Sequence, residues 1–235
     1  KPCNPHIFNR YLGFFHKIAI SDAFILVDSV QFVKRGAFGW IHRNKIRTPE
    51  GWTWLTIPVL TKGKFTQTIL ETKIDSSTQW SKKHWKSIEW NYKTAPFFST
   101  YGRFFENLYS KKWENLADLN ETIIIAILDF LGIKKNIHKT SVINADGKAS
   151  MLIIDMCKKL GADTYLSGVH GKDYLELDVF EKNNIKVVFQ DFKHPIYKQC
   201  FAGEFIPNLN SMDLIFNYGP DSYDIMMGKK IPVCK

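Results

Sequence analysis

The second half of the chain alternates strand-like apolar runs with amphipathic segments, and this alternation constrains the fold more than any other feature. The strand-like runs lie at 137–143, 164–167 and 185–189, and helical patterns at 149–160 and 174–182 separate them. Strands joined through helices run parallel, because each crossover carries the chain back to the same end of the sheet. The sequence therefore predicts an α/β fold with a mainly parallel sheet flanked by helices.

The first half adds a buried strand and a helical insert. Ala23–Val27 is a continuous apolar run followed by Asp28, the pattern of a strand covered on both faces. Between about 76 and 131 the apolar residues recur at helical spacing, which predicts a helical insert within a single α/β domain spanning 1–235. Further elements are expected at 11–20 (helix), 52–60 (strand), 67–74 (strand) and 211–216 (helix).

The chain carries a formal net charge of +9, and part of the excess is concentrated in one stretch. Between residues 32 and 48 no side chain is acidic, and the basic ones are Lys34, Arg35, Arg43, Lys45 and Arg47. A local cluster of this kind favours an anionic partner such as a phosphate, a nucleotide or a nucleic acid.

The sequence offers little for a membrane span, a leader peptide or a metal site. It has no run of about 18 apolar residues, and its first residues lack the apolar core of a signal peptide. The four cysteines form no C-x-x-C pair, and the seven histidines show no H-x-x-x-H spacing. We therefore expect a cytoplasmic protein with reduced thiols and without membrane insertion, bound metal or cofactor.

Four segments carry side chains suited to binding or proton transfer. The first follows the strand at 23–27, where Asp28 suits a sugar hydroxyl. The nearby side chains of Gln31, Lys34 and Arg35 suit a phosphate-bearing ligand. A surface hairpin with a solvated basic face explains the same pattern.

The second segment is the basic and aromatic stretch that follows. Arg43 and Asn44, next to Trp40 and His42, suit stacking on a base or sugar ring and hydrogen bonding to its polar edge. An exposed strand with one basic and one apolar side accounts for these residues equally well.

The third segment is a glycine turn after the strand at 164–167. Its two glycines and the helix start that follows leave backbone N–H groups free for an anion. His170 is the histidine best placed for proton transfer. The residues assigned to binding here are Ser167, Gly168, Gly171, Lys172 and Asp173. A tight strand–helix turn with Asp173 as the N-cap is the alternative.

The fourth segment places Asp191 and His194 close enough in sequence to form a carboxylate–imidazole pair, which would serve as a general base. A His-Pro pair also marks structural turns. No G-x-S-x-G elbow is present, so a Ser-His-Asp hydrolase is not supported.

Taken together, these segments resemble the WbqC-like protein family. In chain order the similar segments are ILVDSVQFVKR at 25–35, HRNKIR at 42–47, WTWLTIPV at 52–59, GADTYLSG at 161–168, GKDYL at 171–175, FQDFKHPIY at 189–197 and NLNSMDLIFN at 208–217. The similarity extends over about residues 5–219. The N-terminus departs from the family pattern, because the expected first strand is absent or truncated and Asn9 stands near an expected proline.

The resemblance implies a role in bacterial O-antigen, lipopolysaccharide or other surface-polysaccharide synthesis, and the transfer of an amino acid such as glycine onto an amino sugar. We therefore expect an acyl or aminoacyl transferase acting on a nucleotide-linked amino sugar, with His170, His194 and Asp28 as catalytic residues. The sequence specifies neither the acyl donor, for which an aminoacyl-tRNA stays open, nor the oligomeric state.

Two alternatives remain open at this point. One is an adenylyl-transferring ligase of the same pathway, which rests on fold-level analogy alone. The other is a non-catalytic nucleotide- or RNA-binding protein, whose RNA binding would weaken steeply with salt.

Overall fold

The computed structural model describes residues 2–6, 11–35 and 40–232, and the chain divides into two compact units. Each unit is assembled from separate stretches of the sequence. Unit 1 comprises residues 1–9, 13–30 and 134–193, and unit 2 comprises residues 10–12, 31–133 and 194–235.

The secondary structure of the described residues is as follows. The strands are β1 (Pro2–His6), β2 (Ala23–Leu26), β3 (Arg43–Thr48), β4 (Gly51–Thr56), β5 (Ile137–Lys139), β6 (Thr164–Ser167) and β7 (Lys186–Phe189). The α-helices are α1 (Leu12–Ile20), α2 (Trp80–Tyr92), α3 (Phe98–Ser110), α4 (Leu116–Phe130), α5 (Ala149–Lys159), α6 (Leu177–Lys182), α7 (Met212–Tyr218) and α8 (Ser222–Met226). Short 3₁₀ helices occupy Val169–Asp173 and Gly219–Asp221.

Unit 1 is built on a five-stranded sheet of order β5-β2-β1-β6-β7, in which every neighbouring pair is parallel. β1 lies in the centre, so that Cys3 is opposite Ala23 on one side and Tyr165 on the other. The core beside this sheet includes Ile25 of β2 and Phe180 of α6, whose ring stacks on that of Tyr165 at 5.6 Å. Each such buried side chain stabilises the unit by about 1.5–3 kcal/mol.

Unit 2 combines an antiparallel hairpin with helices. β3 and β4 pair with Lys45 opposite Trp54. The aromatic core centres on Phe216 of α7, whose ring contacts those of Tyr92, Phe98 and Phe105 at centroid distances between 5.2 and 5.6 Å. The segment 76–131, the expected helical insert, contains α2, α3 and α4.

The α/β class is confirmed as a mixed α/β structure, since a parallel sheet is accompanied by an antiparallel hairpin. The expectation of an absent or truncated first strand needs correction, because the five residues Pro2–His6 form β1. The sequence does not predict this strand, because it contains two prolines and few apolar residues. Parallel partners on both sides supply the pairing that its own composition does not favour.

The prediction of a strand at 67–74 is wrong, because only isolated bridges occur there. The Thr68 N–H and hydroxyl both donate to the Glu71 carboxylate, at 2.8 and 3.0 Å. The Thr72 hydroxyl donates to the Thr68 carbonyl at 2.7 Å. These local hydrogen bonds close a turn and compete with an extended strand.

Candidate functional site

The carboxyl edge of the parallel sheet is where unit 1 is expected to bind a ligand. β2 follows β1 on one side, whereas β6, which the chain enters after β5, lies on the other side of β1. In open α/β sheets, ligands bind at such a reversal, beside the carboxyl ends of the two strands. β6 ends at Ser167 and leads into the glycine turn, and residues 7–10, after β1, lie outside the described residues.

Lys17 of α1 is an unusual side chain near this edge. It is 2% exposed, and its Nζ lies 3.7 Å from the point where a Cβ atom on Gly168 would stand. Within the described residues, the structure gives Lys17 no hydrogen bond or ion pair. Burial lowers the pKa of Lys17 to about 7, because poorly hydrated surroundings disfavour the ammonium form. Much of this amine is therefore neutral at pH 7 and available to accept a proton.

Sequence reasoning missed Lys17 because a lysine in a lysine-rich chain is usually solvated. The signal that could have found it is the composition of α1, in which Phe14, Phe15 and Ile18 are all buried. A helix that is apolar around most of its circumference packs inside the protein. A lysine within such a helix is buried with it.

His16, also missed, lies close to the carboxyl end of β7. The Gln190 amide nitrogen donates to the Gly13 carbonyl and to Nδ1 of His16, both at 2.8 Å. Nδ1 accepts, so the ring proton of the neutral imidazole is on Nε2. Burial lowers the pKa of His16, and the charge of Asp191 partly opposes this effect.

The glycine turn brings its predicted residues together as a 3₁₀ helix, and α6 begins only at Leu177. Asp173 therefore ends a helical turn and is not an N-cap. Its carboxylate lies 3.7 Å from Nδ1 of His170, and both side chains are largely exposed, at 75% and 91%. His170 thus has the solvent access that a base needs but no enclosed pocket around it.

Packing accounts for the other residues of the turn. Ser167 is fully buried and its hydroxyl donates to the Gly168 carbonyl at 3.1 Å. A Cβ atom on Gly171 would stand 1.9 Å from the Ser167 hydroxyl oxygen, so a larger residue here forces that hydroxyl to move. The Lys172 ammonium lies 5.2 Å from the centre of the Phe189 ring, within cation–π range.

Asp28 is buried and its carboxylate is occupied by neighbouring donors. It accepts hydrogen bonds from the Thr140 hydroxyl at 2.8 Å, the Ser141 N–H at 2.9 Å and the Ser141 hydroxyl at 2.6 Å. The two carboxylate oxygens offer about four acceptor sites, and three of these sites are used. The geometry favours a role in joining the ends of β2 and β5, both at the carboxyl edge.

The remaining predicted binding residues belong to unit 2. The Gln31 amide donates to the Phe65 carbonyl at 2.7 Å, Lys34 reaches the Thr61 hydroxyl at 3.5 Å, and Arg35 is exposed. These exposed side chains lie near one another in sequence.

Arg43 and Asn44 point to opposite sides of the β3–β4 hairpin. The Arg43 guanidinium lies 4.4 Å above the Trp54 ring, and Lys45 lies 3.9 Å from the Trp52 ring. Asn44 is buried, and its side-chain oxygen accepts the Lys45 N–H at 2.8 Å. The cationic and aromatic face is therefore shared by Arg43, Lys45 and the tryptophans, without Asn44.

His194 has both ring nitrogens engaged. Nδ1 donates to the Pro195 carbonyl at 2.9 Å, and Nε2 accepts the Asn208 N–H at 3.2 Å. Burial lowers the pKa of His194, and the hydrogen bond to Pro195 partly opposes this. Its basic nitrogen is committed to the backbone, which is the arrangement of a structural histidine.

Unit 2 also contains a buried polar network that sequence reasoning missed. The Tyr92 hydroxyl donates to the Asp213 carboxylate at 2.8 Å and accepts the backbone N–H of Arg47 at 2.9 Å. Burial raises the pKa of Asp213 to about 6, although nearby hydroxyls and Arg47 favour its charged form. Burial likewise raises the pKa of Cys200 to about 11, so this thiol is protonated at neutral pH and is a poor nucleophile.

Neither a cluster of metal ligands nor a membrane-spanning helix occurs in the described ranges. No three histidine, cysteine, aspartate or glutamate side chains in residues 2–6, 11–35 and 40–232 are grouped as metal ligands would be. None of the helices in these same ranges has the length and apolarity that crossing a bilayer requires.

Comparison with known proteins places these features in a family. The chain is 36% identical over 217 residues to a Mycobacterium tuberculosis protein named uncharacterized protein Rv1507c, a match that covers 91% of each chain. No solved structure matches the chain. Residues 6–225, which include Lys17, the glycine turn and Asp213, match the WbqC-like protein family. The chain therefore belongs to the WbqC-like protein family.

Proposed function

We propose that this protein transfers an acyl or aminoacyl group, glycyl included, onto the amino group of a nucleotide-linked amino sugar in bacterial O-antigen or related surface-polysaccharide synthesis. The observation that carries the proposal is Lys17, a buried amine without a partner among the described residues, beside Gly168 at the carboxyl edge of the sheet. Burying an amine without a partner costs free energy, and groups whose pKa is strongly perturbed in this way are enriched at functional sites.

The chemistry requires a proton acceptor. As the neutral sugar amine attacks the carbonyl carbon of the donor and the C–N bond forms, its N–H proton passes to Lys17. The bond between the carbonyl and the leaving group breaks, and the leaving group takes this proton from the Lys17 ammonium. A base whose pKa is about 7 suits both steps near neutral pH.

Among the bases predicted from sequence, His170 stays a candidate for a second proton carrier because it is exposed beside the same turn. His194 is the weaker candidate, since the Asn208 N–H occupies its basic nitrogen. The part of Lys34, Arg35 and Arg43 in holding the nucleotide stays a prediction.

The test compares Lys17→Met with Lys186→Met, which removes an exposed lysine of β7 in the same unit. Transfer from acyl-CoA or aminoacyl-tRNA to nucleotide-linked amino sugars is followed by mass spectrometry of the new amide. We expect Lys17→Met to lose at least a hundredfold in rate while Lys186→Met keeps wild-type activity. Wild-type transfer by Lys17→Met would overturn the assignment of Lys17 as the proton acceptor. Failure of the protein to bind any nucleotide-linked amino sugar would overturn the proposed function.

A second function is favoured by the strand order itself. The strand order reverses beside the central strand β1, and a glycine turn follows β6. This arrangement suits nucleotide binding, which supports an adenylyl-transferring ligase. Such an enzyme would release pyrophosphate from ATP in a magnesium-dependent reaction. Pyrophosphate release that depends on the amino acid or acyl substrate would favour the ligase over simple transfer.

A further inference from the structure

Unit 2 contains a cavity of about 320 Å³ that the proposed function does not use. One wall is Arg47 of β3, and the segment 197–205 forms the rest. Tyr197 and Phe205 supply aromatic surface, and Lys198 and Glu204 are exposed residues of the lining.

Arg47 is fixed rather than solvated. It is 3% exposed, and three of its five N–H donors are used. They bind the carbonyl oxygens of Thr48 at 2.8 Å, Gly51 at 2.7 Å and Ala202 at 3.1 Å. The buried Nε has no hydrogen-bond partner among the described residues. Nη2 keeps one N–H donor, and it lies 3.6 Å from the point where a Cβ atom on Gly203, a residue of the lining, would stand.

The segment around the cavity is held in a strained conformation. Phe201 has a φ of +69°, a value that costs a bulky residue about 1–3 kcal/mol, and Gly203 has a φ of +115°. The Gln199 side chain holds the segment through two bonds to the Ile206 backbone, at 2.9 and 3.0 Å. Strain that is over-determined in this way marks a preorganised site more often than an ordinary loop.

We propose that this cavity binds a small oxyanion, a carboxylate or phosphate group, on Nη2 of Arg47, with the rest of the ligand against Tyr197 and Phe205. The fixed positive charge and the remaining Nη2 donor explain why the ligand is an anion. The aromatic walls explain why an organic anion binds better than an inorganic one. The site lies in unit 2 and is independent of the transfer reaction proposed for unit 1.

Calorimetric titration of the full chain with acetate, benzoate and inorganic phosphate, at constant ionic strength with chloride as the background, tests the proposal. We expect saturable binding, with benzoate at least tenfold tighter than acetate if the source is an organic carboxylate. Phosphate binding tighter than acetate, which like phosphate has no aromatic surface, would assign the site to a phosphate-bearing ligand. The absence of saturable binding by all three anions would overturn the proposal.

The variants that decide the matter leave Arg47 in place, because its three carbonyl contacts also hold the fold. Ala202→Phe narrows the cavity and is expected to weaken anion binding at least tenfold, and Glu204→Gln, which removes a repelling charge, is expected to strengthen it two- to fivefold. Lys83→Gln, at an exposed position on α2, is the matched control and leaves affinity unchanged. Equal affinity in Ala202→Phe and the wild type would contradict binding in this cavity.

Discussion

Lys17 in unit 1 and Arg47 in unit 2 are both buried basic side chains, yet the protein treats them in opposite ways. The guanidinium of Arg47 is anchored to three carbonyl oxygens. Lys17 has no such partners among the described residues, and its pKa falls to about 7. The comparison teaches that a buried guanidinium can be fixed by carbonyl partners, whereas an amine buried without such partners loses its preference for the ammonium form.

The largest expected effect follows from the cost of burying Lys17. The folded amine titrates at about 7 and the unfolded one near 10.5, so only the unfolded chain holds the proton between these values. Stability therefore rises with pH through this window. Lys17→Met removes the penalty and is expected to stabilise the protein by about 4 kcal/mol at pH 7.

Urea denaturation of both proteins at several pH values checks this prediction. The advantage of Lys17→Met should be greatest at and below pH 7 and should shrink as the pH approaches about 10.5. A substitution that stabilises the fold while abolishing activity is the signature of a functional residue. A destabilised Lys17→Met would instead show that the amine makes a favourable structural contact.

Arg47→Met is expected to have the opposite sign. It leaves three carbonyl oxygens without their donors and destabilises unit 2 by about 3 kcal/mol. Arg43→Met, on the same hairpin, removes a half-buried guanidinium above Trp54 and should cost less than about 1 kcal/mol. Equal losses in the two variants, measured by urea denaturation, would show that the carbonyl contacts of Arg47 contribute little.

Asp213 sharpens the comparison with an acidic group. Its pKa is raised from 3.8 to about 6, so the stability it contributes is present below pH 4 and is lost as the pH rises through about 6. Asp213→Asn mimics the protonated form. Relative to the wild type, it should gain about 2 kcal/mol between pH 4 and pH 7. A difference that does not depend on pH would mean that Asp213 titrates normally in the folded protein.

The smallest effect concerns the glycine turn beside Lys17. A Cβ atom on Gly171 would collide with the Ser167 hydroxyl, so Gly171→Ala should cost about 1 kcal/mol. Ser167→Ala removes that hydroxyl, and the double variant should lose less than the sum of the single variants. Strictly additive losses in thermal unfolding would place the strain elsewhere.

The parts of the fold that sequence reasoning predicts are those in which periodicity and burial agree. β6 and α5 lie close to their expected ranges because an apolar run and a helical pattern are local properties of the chain. The sequence does not predict β1, because its pairing with β2 and β6 depends on tertiary contacts that override the effect of its prolines.

The candidate site follows the same rule. The glycine turn is found in sequence, since glycines after a strand are a local signal. Lys17 and Asp213 are not, because their perturbed pKa values come from burial by distant residues. Asp28, a carboxylate at a strand end, reads as a ligand contact until Thr140 and Ser141, more than a hundred residues away, are seen to occupy it.

The most direct test of the account is the pKa of Lys17 itself. NMR titration of the full chain with lysines labelled at Cε, from about pH 5 to pH 11, resolves each amine, and Lys17→Met assigns the signal. We expect a titration midpoint near 7 for Lys17, well below the value of about 10.4 for an unperturbed lysine. A midpoint of about 10 or above would contradict both the buried neutral amine and its proposed role as the proton acceptor.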